Sequence, residues 1–264
     1  VSYPPNQVLL GNLTPDSLYD LSRPWFNHSN SKSPQQGPHG EIVGEEEFYG
    51  LLKALDTFDF VWLEEGFAKH VTALLKNNPL VSRLNLKDTS GIPFSKIEAM
   101  LTRTTDTIPL TLRTGEVVGL VRRRQGEDPS LTAEILLENL AAKVTATMAT
   151  ISVLSASQTH PETLQYLIGS GEEAIGDRYN RGGGNMAKAV AEATQCMEAT
   201  GFDIKAFCCA PVYALIVAGT LINSGAFKNI AVVGGGSLAK LGMKSLGHLA
   251  KDMPILEDTL VGFA

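Results

Sequence analysis

Apolar positions along the first forty residues follow no regular period. Residues 1–40 hold Pro4, Pro5, Pro15, Pro24, Pro34 and Pro38, with a polar run from Asn27 to Gln36. Proline lacks an amide donor and interrupts helix and strand alike, so this stretch reads as loop-rich. Beyond it, Phe48, Leu51, Leu52 and Leu55 recur at helical spacing and predict a helix over 45–55. Phe67, Val71, Leu74 and Leu75 predict a second over 63–75, and a third is expected at 95–101 in an otherwise ambiguous stretch. Residues 117–122 read as a short strand.

The pattern sharpens from Asp128. Asp128 as N-cap and Pro129 at the first helical position predict a helix start. Leu136, Leu140, Val144, Met148, Ile151 and Leu154 then mark one face of a long helix to about Ala156. A buried strand follows at 164–168, then an Ala-rich helix at 185–197 and a strand at 202–207. A helix at 212–223 stops at Ser224-Gly225, and a strand at 229–233 runs into three glycines. Strands alternating with helices at this spacing predict parallel pairing in a covered sheet. Residues 259–264 read as the start of a further strand. The expected class is therefore α/β. A βαβαβ unit with parallel strands over 116–264 follows a loop- and helix-rich region over 1–115.

Composition narrows the function classes. The chain's 264 residues are enough for a substantial core. A formal net charge of −6 argues against a general nucleic-acid binder, which needs excess Lys and Arg. The longest apolar run, 214–222, is too short to span a bilayer and contains Gly219 and Thr220, so no membrane partner is expected. No secretory leader is visible, and Cys196, Cys208 and Cys209 make no disulfide framework, so a cytoplasmic setting is expected. His28, His39, His70, His160 and His248 show no metal-ligand spacing with Cys or carboxylates, and neither metal nor cofactor is expected.

The sharpest local chemistry is at Cys208-Cys209. Pro211 is tolerated only in a first helical turn, so it pins a helix start close to one of these cysteines. A thiol there sits against unpaired backbone N–H groups and the positive end of the helix dipole. Both favour the thiolate, and the same N–H groups can hold a thioester oxyanion. The alternative reading is a small buried residue that only packs, the role assigned to Cys196.

Residues 202–215, followed by Ser224-Gly225 and the strand to Gly234, resemble the nucleophile segment of thiolase-fold ketoacyl synthases of the synthase III type. A wider set of motifs resembles one family more closely. It comprises Tyr3-Pro4-Pro5-Asn6-Gln7, Arg23-Pro24-Trp25, Glu46-Glu47-Phe48-Tyr49-Gly50, Leu137-Glu138-Asn139-Leu140, Arg181-Gly182-Gly183-Gly184-Asn185, Ala239-Lys240-Leu241-Gly242-Met243 and Pro254-Ile255-Leu256-Glu257-Asp258. That family is the beta subunit of component C of the glycine/sarcosine/betaine reductase complex. The resemblance implies the first half of a thiolase-like fold and a subunit that handles an acetyl-level thioester and passes it to phosphate as acetyl phosphate. It implies the component C alpha subunit and the selenoprotein component A as partners, in a homodimer or hetero-oligomer. It carries the acyl nucleophile to Cys208, with Cys209 the lesser candidate. Synthases of this type add His and Asn more than a hundred residues past the nucleophile. Here 56 residues follow Cys208, and the chain reads as a piece of a longer fold.

Other residues join as pocket candidates. Arg181, Gly183 and Asn185 frame a glycine loop that leads into a helix and could cradle an anion. Glu173 stands just past a strand end. Gly235 lies in Gly234-Gly235-Gly236-Ser237-Leu238-Ala239, which fits a dinucleotide-binding turn, with Glu257 or Asp258 about 20 residues on. A dinucleotide-binding oxidoreductase domain is thus one competing function, a synthase III-like condensing enzyme a second, and a non-catalytic scaffold subunit a third.

Overall fold

The computed structural model describes residues 36–37, 40–41, 43–87, 89–104, 106–112, 114–123, 131–171, 185–206, 209–237 and 260–263. Strands β1 (Gln36–Gly37) and β2 (Gly40–Glu41) form a small antiparallel pair. Helix α1 (Glu45–Leu55) begins with three glutamates, which suit the positive end of its dipole, and buries Leu51, Leu52 and Leu55. Strand β3 (Val61–Leu63) leads into helix α2 (Glu65–Asn77), whose N-cap Glu64 accepts a hydrogen bond from the Phe67 N–H at 2.8 Å. Helix α3 (Phe94–Arg103) precedes strands β4 (Thr107–Thr111) and β5 (Val117–Arg122). The three strands make an antiparallel sheet in the order β3-β5-β4. β5 thus lies just past residue 115 yet pairs with both strands of the preceding region.

The second half builds a four-stranded sheet. Helix α4 (Ala133–Ala156) is followed by β6 (Tyr166–Gly171), α5 (Met186–Ala193), β7 (Thr200–Lys205), α6 (Ala210–Asn223), β8 (Ile230–Ser237) and β9 (Leu260–Phe263). The strand order is β7-β6-β8-β9. β6 pairs in parallel with both β7 and β8, the parallel βαβαβ arrangement that the alternating pattern predicts. β9 closes the sheet antiparallel to β8. Helices α4 and α5 cover one face, where Leu167 and Val233 meet Ala142, Ala146, Ala187 and Val190. α6 covers the other, where Ile168 meets Ala214 and Ala218.

α4 joins the two halves. Its Leu136, Leu140, Val144 and Ile151 enter the core built by α1, α2 and the antiparallel sheet, while Ala142, Ala146 and Leu154 enter the core beneath β6 and β8. No residue from Ile135 to Ser155 is exposed. No helix among the described residues is long and apolar enough to cross a membrane.

Three local expectations are corrected. The N-cap of α4 is Thr132, whose hydroxyl accepts from the Ile135 N–H, whereas Asp128 and Pro129 lie outside the described residues. α5 ends at Ala193 rather than near Met197. The Thr194 hydroxyl folds back onto the Val190 carbonyl, and Gln195 takes a left-handed φ of 62° that no helix continues. The glycines at 234–236 are not a turn between strand and helix. They lie inside β8 and pair with Phe263, Gly262 and Val261 of β9. A Cβ on Gly235 would overlap the Ala142 carbonyl of α4, so the missing side chain is a condition of helix–sheet contact. The dinucleotide-binding reading loses its strand–turn–helix geometry with them.

α4 also carries a buried cation. Lys143 donates to the carbonyl of Leu55, the last residue of α1, at 2.6 Å, and to the Thr57 hydroxyl at 3.4 Å. That carbonyl has no partner within its own helix. Burial pushes the Lys143 pKa down to about 8, opposed by nearby Glu192 and Asp56 and reinforced by Lys87. A lysine depressed in the folded state binds fewer protons there than in the unfolded chain between pH 8 and its ordinary value. Stability therefore rises with pH across that window. Urea unfolding at pH 7 to 10 should show wild type gaining on Lys143→Met as pH rises, by on the order of 2 kcal/mol. A constant difference between the two would contradict the buried-charge account.

Candidate functional site

The C-terminal ends of β6, β7 and β8 lie side by side, with Ser170 opposite Ile204 on one flank and Gly234 on the other. Open parallel sheets bind ligands at this edge, because the connecting segments and helix N-termini converge there. Of the sequence candidates, only the described ones can be placed against this edge. Cys208, Glu173, Arg181 and Gly183 lie outside the described residues, while Asn185, Cys209 and Gly235 lie within them.

Two helix N-termini face this edge, and they are finished differently. At α5, Asn185 is the N-cap: its side-chain oxygen accepts from the Lys188 N–H at 2.8 Å, and its Nδ2 reaches the Gly201 carbonyl at 3.4 Å. The Asp203 carboxylate accepts from the Met186 and Ala187 N–H groups at 2.6 and 2.9 Å. Three successive first-turn amides are thus satisfied from within the protein. Asp203 is a residue that the sequence pattern left without a role. Its signal was Gly169 on the adjacent strand, paired with Asp203 in the sheet, where any Cβ would overlap the Asp203 carboxylate. Lys205 stands 3.9 Å from the same carboxylate.

At α6 the N-cap residue's own side chain makes no capping hydrogen bond. Cys209 is the N-cap residue, exposed, with its N–H donating to the Ala206 carbonyl at 3.1 Å. Pro211 occupies the first turn, as its missing N–H requires, and Gly225 ends the helix region with φ of 74°. Among the described residues the Cys209 side chain does not satisfy the amides at this positive helix end. Below it, Ser170 shares the α6-facing side of β6 with Ile168. It is buried, and its hydroxyl has no hydrogen-bond partner among the described residues.

Cys196 is a contrasting thiol. It lies beyond the end of α5, fully buried among Leu164, Leu167 and Val190, and accepts a hydrogen bond from the Thr194 hydroxyl at 3.3 Å. Burial pushes its thiol pKa up, with the Thr194 bond opposing. His70 is drawn into a surface pair with Glu46 at 3.0 Å, away from this sheet edge.

Comparison with known proteins shows what this region resembles. Residues 202–244, which run from β7 through α6 and past β8, match the family of 3-oxoacyl-[acyl-carrier-protein (ACP)] synthase III. The segment from β7 through β8 is thus similar to that family, and its parallel strand order agrees with the α/β class expected from the sequence. More particularly, the chain is 39% identical along its whole length to the glycine/sarcosine/betaine reductase complex component C subunit beta of Peptoclostridium acidaminophilum. The alignment covers 52% of that relative, so the chain spans about half its length. Two solved structures match parts of the chain. Xanthomonas campestris OleA with bound cerulenin is 19% identical over 40% of this chain and 30% of its own, with a TM-score of 0.34. The 3-oxoacyl-[acyl-carrier-protein] synthase III of Aquifex aeolicus is 24% identical over 46% of this chain and 33% of its own, with a TM-score of 0.32.

Two outcomes follow from this geometry. Asp203→Ala strips two amides of their acceptor and should lower stability by about 2–4 kcal/mol in urea unfolding, whereas loss of an ordinary surface carboxylate should cost far less. Iodoacetamide should alkylate Cys209 well before Cys196 in the folded chain, as read by peptide mass mapping. Equal rates would mean that the exposure of the α6 terminus and the burial of Cys196 are misassigned.

Proposed function

We propose that this chain is part of an amino-acid reductase component that receives a two-carbon unit at acetyl level and transfers it to phosphate, with Cys208 as the acyl-carrying nucleophile. The observation that carries the reading is the start of α6 at the exposed Cys209, directly after Cys208, in a chain similar along its whole length to a component C beta subunit. On this reading residues 116–264 carry the acyl-handling unit, and residues 1–115 the region particular to component C.

The chemistry needs only a nucleophile and a place for negative charge. The Cys208 thiolate attacks the acetyl carbonyl, a C–S bond forms, and the donor's leaving group departs. The oxyanion that develops is stabilised by backbone N–H groups of the first turn of α6. A phosphate oxygen then attacks the same carbonyl, the C–S bond breaks, and acetyl phosphate leaves with the thiolate restored. No electron is transferred in either step. The component C alpha subunit and the selenoprotein component A are the partners this role requires, the second as source of the two-carbon unit.

The test is adduct mapping in the assembled complex. Acetyl phosphate should add about 42 Da to Cys208 when the alpha subunit is present. Cys208→Ala should abolish both the adduct and acetyl phosphate formation. An adduct on Cys209 alone would move the nucleophile by one residue. Normal turnover in the Cys208→Ala variant, with no adduct on wild type, would reduce the chain to a scaffold.

A further inference from the structure

Ser170 stands where an apolar residue would serve packing better. It is 4% exposed, and its hydroxyl has no hydrogen-bond partner among the described residues. A buried hydroxyl without a partner is a standing cost, so its presence needs a reason other than packing. Across the sheet it pairs with Ile204 of β7 and Gly234 of β8, so no β8 side chain stands beside it. On the same face of β6, Ile168 meets Ala214 of α6, which starts where β7 ends and runs back along the sheet. From Ile168 to Ser170 the strand advances about 7 Å toward the sheet edge. From Ala214 to Ala210 the helix advances about 6 Å toward its start. Ser170 therefore faces the first turn of α6, where Ala210 is fully buried. Two backbone bonds join the same places. The Ala206 N–H donates to the Gly171 carbonyl at 3.4 Å, and the Cys209 N–H to the Ala206 carbonyl at 3.1 Å.

This end of the face is uncharged among the described residues. Asp203 and Lys205 of β7 alternate to the α5 side, and β6, β8 and α6 contain no charged residue. The other titratable groups on these elements are Cys209 itself, Tyr166 at the far end of β6 and Tyr213, which is 54% exposed on α6. Ser170 is thus the one buried side-chain donor at this end of the face among the described residues.

We propose that Ser170 is a positioning residue for the cysteine pair: its hydroxyl donates to the negative charge that develops at the start of α6 when a thiol there ionises. A hydroxyl turns about its Cβ–Oγ bond, so its hydrogen can reach a new acceptor without movement of the backbone. No resting bond has to be broken first, so the whole of the new interaction favours the charged form. Hydrogen bonds to an anion are stronger than those between neutral groups, and dry, uncharged surroundings strengthen them further. The inference rests on the reading of the cysteine pair as reactive and names the side chain that supports its ionisation.

The experiment reads the pH profile of alkylation. Iodoacetamide labelling of Cys208 and Cys209 is followed by peptide mass mapping from pH 6 to 10 in wild type, Ser170→Ala and Ser170→Thr. In Ser170→Ala the profile should move to higher pH, so that the faster of the two cysteines reacts ~3- to 10-fold more slowly at pH 7. The limiting rate at high pH should stay the same, because access to the thiol is unaltered. Ser170→Thr keeps the hydroxyl and should restore the wild-type profile. The urea midpoint of Ser170→Ala should not fall, since the alanine removes a group that has no partner to lose. An unshifted profile in Ser170→Ala overturns the proposal, as does a change in the limiting rate alone. A marked fall in the urea midpoint overturns it too, because the hydroxyl would then be paired in the resting protein, through a buried water for example. A shifted profile with no acetyl adduct on Cys208 would uphold Ser170 and sink the acyl-carrier reading. An adduct with an unshifted profile would do the reverse.

Discussion

Helix α4 has no outward face, and the rest of the structure is arranged around that fact. From Ile135 to Ser155 every residue is at least partly covered, because the antiparallel region packs on one side and the parallel sheet on the other. A helix enclosed in this way cannot confine its polar residues to a solvent side. Glu138, Asn139, Lys143, Thr147 and Thr150 are therefore buried along with its leucines. Lys143 turns this into a tie by donating to the end of α1, at the cost of holding a cation in a poorly solvated place. Close approach to the sheet depends on small residues at the contact, Ala142 and Ala146 on the helix and Gly235 on the strand. The glycine run in β8 therefore serves packing, and the strand continues through it to pair with β9.

With α4 holding one face of the parallel sheet, the functional edge is set by what closes each helix terminus. Asp203 reaches from β7 to the first turn of α5, and the matching position on β6 is a glycine because the carboxylate occupies the space. At α6 the N-cap residue Cys209 makes no side-chain capping bond, and no such carboxylate stands at its first turn among the described residues. Two helices entering from the same sheet edge are thereby given different chemistry. One N-terminus is satisfied by Asn185 and Asp203, and the other begins at the exposed Cys209 with no cap from its own side chain.

The site is thus polarised toward α6, and so is the unsatisfied apolar surface. The helix that presents Cys209 at its start also carries the exposed Val212–Ile222 stripe along its length.

Much of this was legible in the sequence, and the reason is local. The periods of Phe48–Leu55 and Leu136–Leu154, the alternation of strands with helices, and Pro211 with Gly225 at the two ends of α6 act within a few residues. These features were sufficient for the parallel sheet and for the helix start beside Cys208-Cys209, and the motif order pointed to the component C family. Sequence pattern failed where a neighbour distant in the chain decided the outcome. Gly235 read as a nucleotide turn because its need for no side chain is visible locally, but the cause, the Ala142 carbonyl, lies on another element. Asp203 had no visible role because its partners, the amides of Met186 and Ala187, come from the preceding helix. The antiparallel pairing of β9 and the exposed face of α6 were equally hidden. Local sequence determines which segments form and where they start. Only tertiary structure decides which backbone groups are already satisfied and which surfaces still lack a neighbour, because burial is a property of contacts between segments.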